Sequence, residues 1–193
     1  MTVMEWIAAL LGVACVAVAA MRSVWTFPTA IGSVVLVGVV VFDARLYSDA
    51  LLQAFFVAAN VYGWIGWRAA RARDGEIAVG RMTPEARAAW AIGIVVAALL
   101  WGGAMHRFTD ASYPWWDAGI ASASVAAQVL MARRRVENWI LWIAVDLASI
   151  PLYLAKGLST LAALYVVYLA LAIWGLIGWS RPRARSVAGI AAA

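Results

Sequence analysis

Apolar residues come in seven long runs, at roughly 4–21, 24–42, 50–67, 88–105, 116–132, 139–154 and 158–179, with most of the charged residues collected between them. A helix of about 20 residues crosses a bilayer core about 30 Å thick. Each run comes near enough to that length to cross, the fifth and sixth only just. Hydrocarbon offers no partner to a free N–H or C=O, so a spanning segment must be a helix or a strand of a closed barrel. Barrel strands are about 9–11 residues long and alternate in polarity, and these runs do neither. The pattern predicts an all-α integral membrane protein with seven transmembrane helices.

Composition agrees. Of the 193 residues, 66% are hydrophobic and 13% charged, against about 45–50% and about 25% in soluble domains. A soluble domain of this size cannot hide that much apolar side chain, because burial is limited by surface-to-volume scaling. One cysteine, Cys15, excludes a disulfide framework or a cysteine metal site, and one histidine, His106, excludes the usual multi-histidine metal centres. No metal ligand set, cofactor or catalytic group is expected. The sequence has neither an intramembrane Ser–His pair nor a two-aspartate motif, which argues against an enzyme.

The loops set the orientation. With seven spans, twelve of the fifteen basic residues fall on one side: Arg22, the 68–87 loop, Arg133 to Arg135, and the tail. Only Arg45, Arg107 and Lys156 fall on the other. The positive-inside rule makes the twelve-residue side cytoplasmic, with the N-terminus outside and the C-terminus inside. The basic loops then serve topology and contact with anionic lipid headgroups, and they imply no nucleic-acid partner. Ala17-Val18-Ala19 has the spacing of a leader cleavage site, but the first residues of the sequence include Glu5 and no Lys or Arg, the wrong sign for a leader. Thr83-Pro84-Glu85 reads as an N-cap, a first-position proline and a first-turn acid, so the fourth helix starts in the cytosol. Nine of the twelve tryptophans lie near span ends, where an amphipathic ring favours the membrane interface. His106, beside Arg107, reads as an interfacial surface residue.

An internal repeat is visible. Gly63, Gly66 and Trp67 at the end of the third span recur as Gly175, Gly178 and Trp179 at the end of the seventh, an offset of 112, and Phe56 falls on Tyr168. Nearly the same offset carries span 1 onto span 5 and span 2 onto span 6. The expected organisation of the single 1–193 transporter domain is therefore 3 + 1 + 3. Repeat one covers 4–67, a linker helix 88–105 and repeat two 116–179, with a cytoplasmic tail over 180–193. A shift of four spans keeps direction, so the halves are parallel repeats like those of SWEET transporters, which enclose a substrate site near the midplane.

The candidate site is a set of helix faces. Trp139, Trp142, Asp146, Ser149 and Tyr153 follow spacings of 3, 4, 3 and 4 and share one face of span 6. A carboxylate near a span centre costs about 2.5–3.5 kcal/mol on insertion scales, so Asp146 is expected to face the interior and mark a site. Gln53, Phe56, Asn60, Gly63 and Trp67 repeat the spacing in span 3, and Tyr165 and Tyr168 begin the matching face of span 7. The candidate substrate-binding residues are Gln53, Phe56, Asn60, Trp139, Trp142, Asp146, Tyr165 and Tyr168. Gln53 and Asn60 could also serve as packing bonds between helices, worth about 0.6 kcal/mol each. Aromatic faces stack on flat rings and attract cations, and amides and hydroxyls orient hydroxyl-bearing groups. The faces fit a small planar polar molecule, with a cationic ring a natural case. The spans carry no Lys or Arg, and a phosphorylated substrate fits poorly.

These residues resemble a known family. The run from Glu137 through Trp139, Trp142 and Asp146 to Tyr153 is similar to the Trp-x-x-Trp-x-x-x-Asn/Asp signature of the PnuC family of bacterial vitamin transporters. The Gln53…Asn60-x-Tyr62-Gly63-Trp64-x-x-Trp67 passage resembles its first-half motif, and Tyr165…Tyr168…Gly175…Trp179 its last helix. The resemblance implies a nicotinamide riboside transporter of the inner membrane. Such carriers work by facilitated diffusion, with cytosolic phosphorylation trapping the substrate, and they form homotrimers. It also implies that Trp139, Trp142, Asp146, Gln53 and Asn60 contact substrate. Relatives carry thiamine or other nucleoside-like vitamins. The best-known riboside carriers have Asn where this chain has Asp146, which leaves the vitamin open. A vitamin-binding subunit of an ATP-driven uptake complex is the alternative from another class, although no parallel repeat is expected there.

Overall fold

The computed structural model describes residues 3–43, 47–110 and 112–181. Among them are seven α-helices, one in each expected run: α1 (Val3–Ala20), α2 (Thr26–Asp43), α3 (Tyr47–Asp74), α4 (Pro84–Phe108), α5 (Pro114–Ala132), α6 (Glu137–Ala155) and α7 (Ser159–Ser180). Arg45 and the tail beyond 181 lie outside the described residues.

Helix ends differ from the apolar runs where local chemistry extends a helix. The loop expected over 68–87 is shorter, because α3 runs on to Asp74 and α4 starts at Pro84. Arg71 and Arg73 fill the last turn of α3, where cations suit the carbonyl end of the helix. Gly75 then ends it at φ +73, returning its N–H to the Arg71 carbonyl at 2.9 Å. Thr83 caps α4 as expected, its hydroxyl accepting from the Ala86 N–H at 3.3 Å, with Pro84 in the first turn.

Four helices, α2, α4, α6 and α7, are plainly long and apolar enough to cross a membrane. The apolar stretch of α1 is shorter, Trp6–Ala20. The arginine-bearing end of α3 dilutes its apolar part. Small residues such as Ala118, Ser124, Ala126 and Ala127 are buried in α5, which packs on α3, α4 and α6.

The packing order is a ring. α1 packs on α2, α2 on α3, α3 on α5, α5 on α6, α6 on α7, and α7 on α1. Among the described residues α4 packs along α5, outside the ring, and meets α6 through the Arg87–Glu137 pair; Ile92, Val95, Leu99 and Leu100 of α4 stay exposed. At the arginine-rich end the ring interior is filled. Ala19 and Ala20 of α1, Phe27 of α2, Trp67 of α3, Met131 of α5, Trp139 of α6, and Ala172 and Trp179 of α7 form one buried cluster. All six ring helices contribute to this plug.

Local geometry recurs at the 112-residue spacing. Arg22 and Arg134 both take φ 59 in the turns that follow α1 and α5. Their N–H groups return to the carbonyls of Ala19 and Met131, at 2.9 and 2.8 Å. Phe27 meets Trp67 edge to face at 5.1 Å, and Trp139 meets Trp179 in the same way at 5.5 Å. Gly63 leaves room for the Phe27 ring, and Gly175 for the Trp139 indole.

Candidate functional site

The site is built on α6. Its inward stripe is Trp139, Trp142, Asp146, Ser149 and Tyr153, each buried or half-buried. Ile140, Ala144, Leu147, Pro151 and Leu154, spaced 4, 3, 4 and 3, are exposed on the opposite face. The 3.6-residue period thus sorts α6 into an apolar outer face and a polar, aromatic inner one. Pro151 lacks an N–H, so the Leu147 carbonyl loses its ordinary helical donor beside Asp146 and Ser149.

Trp139 and Ser149 are fully buried, and Asp146 is 3% exposed. None of the described ion pairs involves Asp146. Five buried polar side-chain atoms lack a hydrogen-bond partner among the described residues, and all five belong to α6. They are Glu137 Oε2, Asn138 Oδ1, Trp139 Nε1, Trp142 Nε1 and Ser149 Oγ. A buried polar group without a partner costs about 1–3 kcal/mol. Three of these atoms lie on the inward stripe, on either side of Asp146. From Trp139 to Ser149 the helix rises about 15 Å at about 1.5 Å per residue.

α7 completes one wall. Tyr165 packs at a tilt against Tyr153 of α6 at 5.1 Å and meets Tyr168 edge to face at 5.6 Å. The Tyr168 hydroxyl reaches across to α1, into the space that Gly12 leaves by having no side chain. Asp146 stands two turns before Tyr153 on the α6 face that meets Tyr165.

The α3 residues do not all join this wall. α3 packs on α2 and α5, and it reaches α7 where Trp67 approaches Trp179, 5.7 Å between ring centres. Gln53 sits against Gly38 of α2, in a groove between α2 and α3. Phe56 is half-buried beside Phe55. Asn60 is buried and engaged, donating to the Phe56 carbonyl at 2.8 Å and accepting from Gln128 Nε2 of α5 at 3.0 Å. The structure therefore brings Trp139, Trp142, Asp146, Tyr165 and Tyr168 together and sets Gln53 and Asn60 apart, against helices α2 and α5. The sequence reading did not single out Gln128 or Phe27. Gln128 is a lone amide within an apolar span, and Phe27 stands 112 residues before Trp139; either signal could have found them.

A ring of apolar helices around a polar, aromatic interior stripe defines a multi-pass membrane transporter. The chain belongs to the nicotinamide mononucleotide transporter family, whose model matches residues 2–181. Among curated relatives, the nicotinamide riboside transporter PnuC of Escherichia coli (strain K12) is 26% identical over 204 residues, covering 91% of this chain and 85% of that protein. The riboflavin/roseoflavin transporter RibM of Streptomyces davaonensis is 36% identical over 179 residues, covering 88% and 81%. The crystal structure of the vitamin B3 transporter PnuC superposes with a TM-score of 0.76 at 25% identity, over 92% of this chain and 80% of that one.

Proposed function

We propose that this protein is a facilitator for nicotinamide riboside, which it binds along the inward stripe of α6. The observation that carries the reading is the row of buried polar atoms, Trp139 Nε1, Trp142 Nε1 and Ser149 Oγ, around a buried carboxylate, none of which finds a partner among the described residues. Asp146 pairs with the ring cation, the Trp142 indole lies against the ring, and Ser149, Tyr165 and Tyr168 take ribose hydroxyls. Gln53, Phe56 and Asn60 complete the opposite side only if α3 turns during transport. Phosphorylation in the cytosol then traps the substrate and sets the direction of net flux.

The wider architecture follows from the same reading. The chain is two parallel three-helix repeats with α4 as linker, a view supported by the matched geometry of Arg22 with Arg134 and of Phe27–Trp67 with Trp139–Trp179. The arginine-rich end faces the cytoplasm of a bacterial inner membrane, with the N-terminus outside. Three copies assemble, each with its own path.

A second reading, riboflavin as substrate, is favoured by the 36% identity to RibM. Counterflow in liposomes that contain only the purified protein separates the possibilities. Labelled nicotinamide riboside is expected to exchange, with riboflavin and thiamine as competitors. Exchange of riboflavin alone would move the substrate and keep the mechanism. Absence of any flux without partner subunits would favour a subunit of an ATP-driven complex.

A further inference from the structure

The segment 75–82, between α3 and α4, does not hang free at the arginine-rich end. Its Ile77 is 3% exposed and belongs to the same buried cluster as Phe27, Trp67, Trp139 and Trp179, and Val79 packs against that cluster. Gly80 forms a short parallel bridge with the α5–α6 turn: its N–H donates to the Arg134 carbonyl and its carbonyl accepts from the Val136 N–H, both at 3.0 Å. The segment thus crosses from the end of α3 to the junction of α5 and α6, with two apolar side chains pressed into the plug.

One side chain holds the far end of this segment to the start of α4. Glu137, the first residue of α6, is buried. Its Oε1 accepts from the Met82 N–H at 3.0 Å and pairs with Arg87 Nη2 of α4 at 2.9 Å. Arg87 is about half-exposed. The carboxylate therefore ties the segment and the start of α4 to the helix that carries the inward stripe.

We propose that residues 75–82 are a strap that closes the arginine-rich mouth of the ring, latched by Glu137 and Arg87, so that solute leaves at this end only when the latch parts. The proposal rests on the reading of the ring interior as the solute path. A loop serving only as a connection has no need to bury Ile77 in the plug or to anchor on the first turn of α6. Coupling follows from the geometry: a movement of α6 on binding or release shifts Glu137, and with it both anchors of the strap.

Two experiments on the full chain test this, both in a Cys15→Ser background. In the first, Ala172→Cys reports from within the plug, and a membrane-impermeant thiol reagent is applied from the arginine-rich side. Arg87→Ala and Glu137→Gln are each expected to speed labelling about tenfold, the change expected when a local opening equilibrium shifts by one decade. Unchanged labelling in both variants would overturn the proposal. In the second, Gly80→Cys and Arg135→Cys face one another across the parallel bridge, where an added Cβ at Gly80 meets only the Arg135 guanidinium. Oxidation of that pair is expected to stop counterflow of labelled nicotinamide riboside or riboflavin, and reduction to restore it. An oxidised protein that exchanges as fast as the reduced one would overturn the strap. If the reduced protein exchanges neither vitamin, the transport reading fails by itself, and the labelling experiment still decides the strap.

Discussion

Trp67 and Trp179 stand 5.7 Å apart at the arginine-rich end of the ring, and each donates its indole N–H to the helix that the other half of the chain presents. Trp67 Nε1 donates to the Met131 carbonyl at 3.3 Å and the Ala132 carbonyl at 3.2 Å; Trp179 Nε1 donates to the Ala19 carbonyl at 3.1 Å. Met131 follows Ala19 by the same 112 residues that separate Trp179 from Trp67. The two seams of the ring, α3 on α5 and α7 on α1, are thus closed by the same buried bond. Trp67→Phe and Trp179→Phe are each expected to cost about 0.5–1.5 kcal/mol, the net worth of one hydrogen bond. Thermal unfolding in detergent checks this, and a loss confined to one of the two would contradict the matched roles.

Gly175 is a tight approach on the wall of the site. A Cβ there would stand 2.6 Å from the Trp139 indole, while nothing lies within 4 Å of one at Gly66. Gly175→Ala is expected to displace the indole and destabilise by about 1–3 kcal/mol, the usual cost of overpacking. Gly66→Ala is expected to be neutral or slightly stabilising, since alanine is the better helix residue. Melting temperatures of the two variants test the contrast.

The Asn60–Gln128 pair distinguishes the α3–α5 seam from the α7–α1 seam, where the corresponding residues are Ala172 and Val16. Asn60→Ala leaves Gln128 with an unmet amide and is expected to cost about 1–2 kcal/mol, near the upper end for such pairs in membranes. Replacing both residues by leucine is expected to recover much of that loss. A double-mutant cycle on unfolding free energy gives the coupling directly, and a coupling of zero would contradict a formed bond.

The start of α4 carries a pH-dependent cap. The Glu85 carboxyl is held below its ordinary range, first by a hydrogen bond from its own backbone N–H and then by the Thr83 side chain. A depressed carboxyl pKa stabilises the folded form above the ordinary value, and that contribution is lost as pH falls through the folded value. Amide exchange in the first turn of α4 is therefore expected to quicken on acidification. Thr83→Ala is expected to quicken it at neutral pH as well, by about 0.5–2 kcal/mol of lost capping.

Much of the fold was legible in the sequence because lipid leaves few choices: a run of apolar residues must become a helix. The α6 stripe was legible for the same reason, since burying Asp146 is tolerable only on an inward face, and Trp139, Trp142 and Ser149 share that face by period. The α3 residues were less legible. Periodicity says which side chains share a face, not which neighbour that face meets, and Asn60 and Gln53 meet α5 and α2 rather than α6. Gln128 escaped notice because a single amide in a small-residue helix carries no pattern until its partner is known. The end of α3 also ran past its apolar segment, because arginines that leave the membrane still make good helix.

The inward stripe of α6 as the binding surface is the central claim, and equilibrium binding tests it most directly. Titration calorimetry with nicotinamide riboside and with riboflavin is to be run on the purified wild type and on Asp146→Ala. One of the two vitamins is expected to bind the wild type and to lose at least about tenfold in affinity in the variant, which corresponds to about 1.4 kcal/mol. The variant itself should fold at least as well, because a buried unpaired carboxylate has been removed. An affinity unchanged within about twofold, in a variant that is folded, would contradict the account.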